Sequence, residues 1–266
     1  MIPPDHTSAR LLYVGIDDTD TPDTPGTNQL ARRIAARLKD RYRTHRIVRH
    51  QLLVDPRIPY TSGNGCASLL LEPLKNEPWD ALIRWLIEAV NAWSPAGADP
   101  GLCVCEKAAP ELEEFGRRCQ RSVVSQDDAR RAAEAVGCRL FGLGGSHDGV
   151  IGATAAVGLA STGNDGRVIH LGRSPIDISD VTGIQSVAAI RACGVDSVRC
   201  RTTGQEIDGG NIDVGKKLRP NLCSQEIVLF VEPVLSEVSV GAADRPANKT
   251  SGAEVPDVSW KAVKLP

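Results

Sequence analysis

Asp17, Asp18 and Asp20 place three carboxylates within four residues, at the end of the apolar run Leu11 to Ile16. Like charges at that density repel, so a positive partner has to hold them in one loop. A hard divalent cation such as Mg²⁺ is the simplest partner, because it takes oxygen ligands and commonly keeps a phosphate as another. The cluster points to phosphate chemistry, with Asp17, Asp18 and Asp20 as metal ligands and catalytic groups. Two other readings compete. Asp18-Thr19-Asp20 has the D-x-D spacing of an aspartyl-phosphatase nucleophile, but Pro22 stands where a small residue is expected and no partner motif follows. Asp and Thr are also ordinary turn formers.

Thr27 follows at the expected N-cap of a helix. Threonine caps helices by accepting from free N–H groups, and the same free donors and dipole attract phosphate. A hydroxyl beside a cation cluster is also placed to accept a phosphoryl group. Two glycine-rich turns come later. Gly63-Asn64-Gly65 enters a strand and by itself is explained by a hairpin. Gly144-Gly145-Ser146-His147-Asp148-Gly149 opens a helix and offers backbone donors plus His147 as a phosphate cradle. A third segment, Gly210 to Lys217, approaches a P-loop but lacks the closing Ser/Thr, and Pro220 blocks the helix that motif needs.

The elements that must position these groups follow from periodicity. A strand over 11–16 feeds the acidic loop. Leu30, Ile34 and Leu38 recur at helical spacing in a helix over 27–42. Strands are expected at 47–54 and 66–71, a helix from Trp79 to Trp93, and a strand at 101–105. That order is the β-α-β-β-α-β split of a ferredoxin-like sheet with helices on one face. Further helices are expected over 110–121 and 126–136, then a small-residue helix after Gly149 and a strand at 167–171. The fold class is α+β: a ferredoxin-like, kinase-like domain (10–172) with additional helices, a small appended β-rich module (173–235) and a poorly packed tail (236–266) able to dock through Trp260.

The 266 residues carry 31 Lys and Arg against 33 Asp and Glu, a net charge of −2 that excludes wholesale wrapping by nucleic acid. A local basic surface remains between Arg32 and Arg49, either a solvated face or a landing surface for RNA or a nucleotide. No apolar run approaches a bilayer span and no export signal is visible, so a cytoplasmic protein with no membrane partner is expected. The eight cysteines form no C-x-x-C pair and read as reduced thiols.

Three segments, GIDDTDTPDTPGTNQLA (15–31), IPYTSGNGCAS (58–68) and GSHDGVIGATAAVG (145–158), together resemble the kinase-like domain of the archaeal tRNA(Ile2) 2-agmatinylcytidine synthetase family. The resemblance implies use of ATP and Mg²⁺ to activate a cytidine carbonyl, which a small amine, agmatine, then attacks. It implies Asp17, Asp18 and Asp20 as metal ligands or phosphate positioners and Thr27 as phosphoacceptor. Gly63, Asn64, Gly65, His147, Asp148, Gly149 and Gly152 would line the ATP or substrate pocket. Where the family carries a basic residue near the Gly-Asn-Gly turn and another before the glycine-rich helix, this chain reads Thr61-Ser62 and Ser146-His147-Asp148. The family also carries an OB-fold and a zinc ribbon that grip the tRNA; with 266 residues and no cysteine quartet, these residues are expected to hold neither.

The expected function is therefore an ATP-dependent, ligase- or kinase-like enzyme that phosphorylates a carbonyl or amide oxygen so that an amine replaces it, forming a carbon–nitrogen bond. Two alternatives stand beside it: a non-catalytic nucleotide-binding or regulatory protein, and a tRNA cytidine-modifying enzyme that works with a partner.

Overall fold

A computed structural model of the chain describes residues 10–61, 63–107, 109–234 and 258–263. Its organising element is β1 (Leu12–Asp17), whose side chains alternate between two faces. Leu12, Val14 and Ile16 enter one core with Leu30, Ile34 and Leu38 of α1 (Thr27–Leu38) and Leu82, Leu86 and Val90 of α2 (Trp79–Trp93). On the other face, Tyr13 packs against Ala153 and Val157 of α5 (Gly149–Ser161) and Leu112 of α3 (Pro110–Cys119). β4 (Gly101–Cys105) divides the same way, with Leu102 and Val104 toward α1 and α2, and Cys103 and Cys105 toward α5.

The chain runs on through β2 (Tyr42–Gln51), β3 (Gly65–Pro73), α4 (Gln126–Val136), β5 (Arg139–Gly142) and β6 (Arg167–Leu171). These strands lie in the order β5-β4-β1-β3-β2-β6, and every neighbouring pair is antiparallel. The architecture is a mixed α/β one, and helices cover both faces of the sheet rather than the single face expected. The apolar texture of α5 is the reason: almost every residue from Gly149 to Ala160 is buried, because the helix lies between the sheet on one side and α3 and α4 on the other. Small residues permit that approach, since a Cβ on Gly15 would lie 2.0 Å from the Ala153 carbonyl oxygen.

Two boundaries differ from expectation. α1 stops at Leu38, not 42, because Tyr42 begins β2 and buries its ring in the α1–α2 core. β2 therefore spans 42–51 rather than 47–54, and beyond it Leu52 N–H turns to the Asn64 carbonyl (2.9 Å).

The sheet continues from β6 into β10 (Asn221–Cys223), β11 (Glu226–Pro233) and β12 (Val258–Ala262), then β9 (Asn211–Asp213) and β7 (Ile184–Ser186). β8 (Ser197–Cys200) pairs with β11 in parallel, and α6 (Val187–Ala192) packs beside them. A second hydrophobic cluster, including Ile190, Val198, Ile212, Leu222 and Leu229, holds this region. Of the segment expected to be a tail, Val258–Ala262 forms β12 and Trp260 packs on the second cluster; the apolar/polar alternation of Val-Ser-Trp-Lys-Ala suits a strand. Residues 236–257 and 264–266 lie outside the described residues. All eight cysteines are free thiols. Among the described residues no helix is long and apolar enough to cross a membrane.

Candidate functional site

β1 ends on Asp17, directed to the α5 face, and the chain then turns sharply through Asp18, whose φ of 50° lies in the left-handed region. Aspartate tolerates that region better than most residues. The reversal brings the loop back over the sheet edge, where the Asp18 carbonyl accepts from Asp99 N–H (3.1 Å). The Asp17 carboxylate lies against Gly152, where a Cβ would come within 1.8 Å of Oδ2. Burial, then the charges of Asp18 and Asp20, push the Asp17 carboxyl up to about 7. Asp18 is pushed up to about 6 by burial and by Asp99, Asp20 and Asp148.

Asp20 is held differently. Its Oδ1 accepts from Thr27 Oγ1 (3.1 Å) and its Oδ2 from Thr61 Oγ1 (3.0 Å). Thr19 Oγ1 donates in turn to Thr27 Oγ1 (3.2 Å), so the buried Thr27 hydroxyl is fixed from two sides. Thr27 is not the N-cap: Gly26 takes that position in extended conformation, and Thr27 is the first helical residue. Its oxygen is committed to the aspartate loop instead of the helix's own N–H groups.

The Gly-Asn-Gly turn supplies the opposite wall. Asn64 (φ 29°) donates from Nδ2 to the Leu53 carbonyl and accepts on its own carbonyl from Leu52 N–H, tying the turn to the chain leaving β2. Arg49 of β2 donates to the Gly63 carbonyl (3.2 Å), and its guanidinium fills the space a Cβ on Gly65 would need. A basic group thus stands at this turn although the turn's own sequence has none.

The second glycine turn is closed rather than open. Asp99, just before β4, accepts from Ser146 Oγ (2.7 Å), His147 N–H (2.8 Å) and Asp148 N–H (2.8 Å). The backbone donors expected to cradle a phosphate are occupied by this internal carboxylate. Asp99 escaped the sequence reading because its partners lie 47–49 residues away; the Asp99-Pro100 step before a strand was its only local sign.

One cavity of about 530 Å³ gathers these groups. Asp17, Asp18, Asp20, Thr27, Gly63, Asn64, Gly65, Asp148, Gly149 and Gly152 all line it, and Arg49, Arg57 and Asp99 join them. Leu52, Ile58, Tyr60, Val123 and Ile151 form an apolar side. His147 does not line it: with φ at 70° its side chain turns back onto Gly142 of β5. Among the described residues no group of three or more His, Cys, Asp or Glu side chains is placed to hold a metal ion alone. Asp17, Asp18 and Asp20 share a wall without forming a complete cage, since Asp20 is engaged by two threonines.

Most of the arginines expected to form a basic surface have internal partners. Arg32 pairs with Asp177, Arg41 with Glu77 and Arg43 with Glu72, while Arg33 stacks over Trp93 at 4.2 Å from the ring centre.

No protein-family model matches the chain. Among curated proteins it is 30% identical over 156 residues to the tRNA(Ile2) 2-agmatinylcytidine synthetase TiaS of Pyrococcus horikoshii, a match covering 56% of this chain and 35% of that protein. It is 29% identical over 185 residues to TiaS of Cenarchaeum symbiosum, covering 65% and 41%. Among solved structures it is similar to a tRNA fluorescent labeling enzyme (TM-score 0.49, 27% identity, 56% of this chain and 36% of that one). It is also similar to TiaS in a TiaS-tRNA(Ile2)-ATP complex (TM-score 0.46, 25% identity, with the same coverage of each chain). The chain resembles the tRNA(Ile2) 2-agmatinylcytidine synthetases, as its three motifs implied, and spans 35–41% of the length of these two curated relatives.

Proposed function

We propose that this chain binds ATP in the 530 Å³ cavity and transfers its terminal phosphoryl group, activating a carbonyl or amide oxygen for replacement by an amine. The observation that carries this reading is the Asp20–Thr27 contact beneath a cavity with an acidic floor, an arginine rim and an apolar side. Thr27 Oγ1 donates to Asp20 Oδ1, so Asp20 is positioned to take the proton as that oxygen attacks phosphorus. Thr19, donating to the same oxygen, orients its remaining lone pair away from itself. The P–O bond to the leaving nucleoside diphosphate breaks as the Thr27 O–P bond forms. The substrate's carbonyl oxygen then attacks the same phosphorus, the Thr27 O–P bond breaks, and the proton held on Asp20 returns to Thr27. Arg49 faces the phosphate charge, Arg57 stands beside it paired with Asp55 through two nitrogens, and the apolar side formed by Ile58, Tyr60 and Val123 suits a nucleobase.

The oxygen-only donor set around Asp17 and Asp18, with both carboxyls held up by burial and then by neighbouring carboxylates, fits Mg²⁺ bound by one or two carboxylates and completed by phosphate oxygens. Such an ion would neutralise charge on the transferring phosphoryl group. Converting an amide-like oxygen to a phosphate makes it a good leaving group, which gives ATP its part in an amine substitution of the kind the relatives' name describes. An RNA cytidine is the acceptor this likeness suggests, with a small amine as nucleophile.

The path β1-α1-β2-β3-α2-β4 with neighbours β4-β1-β3-β2, all antiparallel, supports reading this part as a ferredoxin-like, kinase-like unit. The buried members of the first hydrophobic cluster all precede residue 172 and most of the second follow it, which supports a boundary there, with Val48, Val168 and Leu171 joining the second. The alternative of a non-catalytic binder rests on the two changed basic positions; Arg49 supplies a basic group at the first glycine turn, while the second keeps Ser146-His147-Asp148.

Incubation with γ-labelled ATP and Mg²⁺ tests the reading. Wild type is expected to take up label. Thr27→Ala should lose it entirely, and Asp20→Asn should slow it by about 100-fold, the size of a lost general base. Equal labelling of Thr27→Ala and wild type would remove Thr27 from the reaction.

A further inference from the structure

A second and larger cavity, about 750 Å³, lies between the exposed side of α1, the strands β2 and β6, and the segment 217–219. Its charge is one-sided. Arg32, Lys39, Arg43, Arg167, Lys217 and Arg219 line it, against a single carboxylate, Asp177. Arg32 neutralises Asp177, and Arg43 is held by Glu72 (3.1 Å). Lys39, Arg167, Lys217 and Arg219 have no acidic partner among the described residues.

Arg167 is the informative member. It lies directly opposite Arg49 in the β2–β6 register, and like charges in that relation destabilise a sheet. Burial and the charges of Arg49 and Arg219 hold its guanidinium down to about 10, well below the usual arginine range. Three arginines gathered with no acid between them form a site that an anion would stabilise, and the guanidinium fork matches a phosphate bidentately. His170, on the same wall, is lowered by burial and by Arg32, so near neutral pH it offers an uncharged ring instead of a further cation. Asn28 lines both cavities, and Arg49, opposite Arg167, lines the first. The two spaces therefore adjoin across the start of α1.

We propose that the second cavity binds a phosphate group of the acceptor substrate, with Arg167 and Arg219 as its main cations and Lys217 at its mouth. Calling the ligand the acceptor rests on the phosphoryl-transfer reading above; the anion site itself stands on its own residues. The near-P-loop segment acquires a part here: it forms no phosphate-binding helix, but its last lysine reaches this cavity. The same phosphate chemistry has two sources, a free mononucleotide or a polynucleotide backbone.

Calorimetric titration of the full chain with 5′-CMP, cytidine, a single-stranded RNA 12-mer and, separately, ATP with Mg²⁺ tests the site. Wild type is expected to bind 5′-CMP or the 12-mer and to bind cytidine at least tenfold more weakly. Arg167→Gln with Arg219→Gln should weaken the phosphate-bearing ligand at least tenfold, with ATP affinity within twofold. Lys217→Glu, at an exposed position, gives the same direction if the double variant does not fold. Binding of both 5′-CMP and the 12-mer indicates a single-nucleotide site; the 12-mer alone indicates a backbone site, with a salt slope falling by about 0.7 for each phosphate contact removed. Failure of wild type to bind either phosphate ligand, or equal binding by the variants, overturns the proposal. Loss of ATP binding in wild type would instead overturn the reading of the first cavity.

Discussion

The two glycine-rich turns beside the first cavity look alike in sequence and are opposite in use. Gly63-Asn64-Gly65 presents carbonyls and holds an arginine, whereas Gly144–Gly149 presents N–H groups and holds an aspartate. The first leaves a cation facing the cavity. The second has already taken up its anion, and its backbone donors fasten Asp99 to the start of α5. A glycine-rich turn before a helix is therefore a statement about an anion, and that anion can belong to the protein itself. The difference also separates the glycines themselves. Gly149, at the start of α5, is required by backbone contact; Gly63 is not.

The largest test of this contrast is Gly149→Ala. A Cβ there would lie 2.2 Å from the Asp99 carbonyl oxygen and 2.5 Å from Gly101 N, both backbone atoms that cannot rotate aside. A loss of about 3 kcal/mol is expected in denaturant unfolding, at the upper end of overpacking costs. Asp99→Asn is next. It turns one acceptor oxygen into a donor facing N–H or O–H groups, and about 2 kcal/mol should be lost. The Asp18 carboxyl should also fall toward its ordinary range, as followed by NMR titration, since Asp99 is one cause of its rise.

A smaller effect is expected from pH. The folded chain holds Asp17 up to about 7 and Asp18 up to about 6, against 3.8 ordinarily, so between those values it binds more protons than the unfolded chain. Stability of the metal-free protein should fall as pH rises from about 4 through 7; the two shifts taken whole would give several kcal/mol, and solvent screening at the open cavity wall brings this to about 1–2 kcal/mol. Added Mg²⁺ should flatten that profile, and an unchanged profile with Mg²⁺ would argue against an ion at these carboxylates. The smallest effect belongs to Gly63→Ala. Nothing comes nearer a Cβ there than an Arg49 nitrogen at 3.8 Å, and the cost should stay within about 0.5 kcal/mol. If Gly63→Ala proved as damaging as Gly149→Ala, the distinction between the turns would fail.

Much of this was legible in the residues. The apolar run Leu11 to Ile16 and the helical spacing of Leu30, Ile34 and Leu38 are local signals, and both elements form, the helix ending four residues earlier than expected. Of the eleven residues expected at the site, ten line one cavity, because their motifs sit where strands end and helices begin. His147 departs because its backbone conformation, set by the turn's pairing with Asp99, directs the ring to Gly142. Sequence alone places Arg49 in a basic stretch that is either a solvated face or a landing surface; only the pairing of β2 with β3, Gln51 opposite Gly65, brings it to the glycine turn. β12 was hidden because its partners, β11 and β9, are distant in sequence and its flanks carry no periodicity. What eluded the sequence in each case was a long-range register, not a propensity.

The tight seating of α5 has a mechanical consequence. With Gly15 under the Ala153 carbonyl and Gly101 under that of Gly149, helix and sheet interlock like a key in its ward, and Gly158 under the Leu112 carbonyl locks α5 to α3 on its other side. Asp17 is thus mounted on an immovable anvil, and any widening of the first cavity to admit a bulkier guest must come from the Ile58–Thr61 side, across from it.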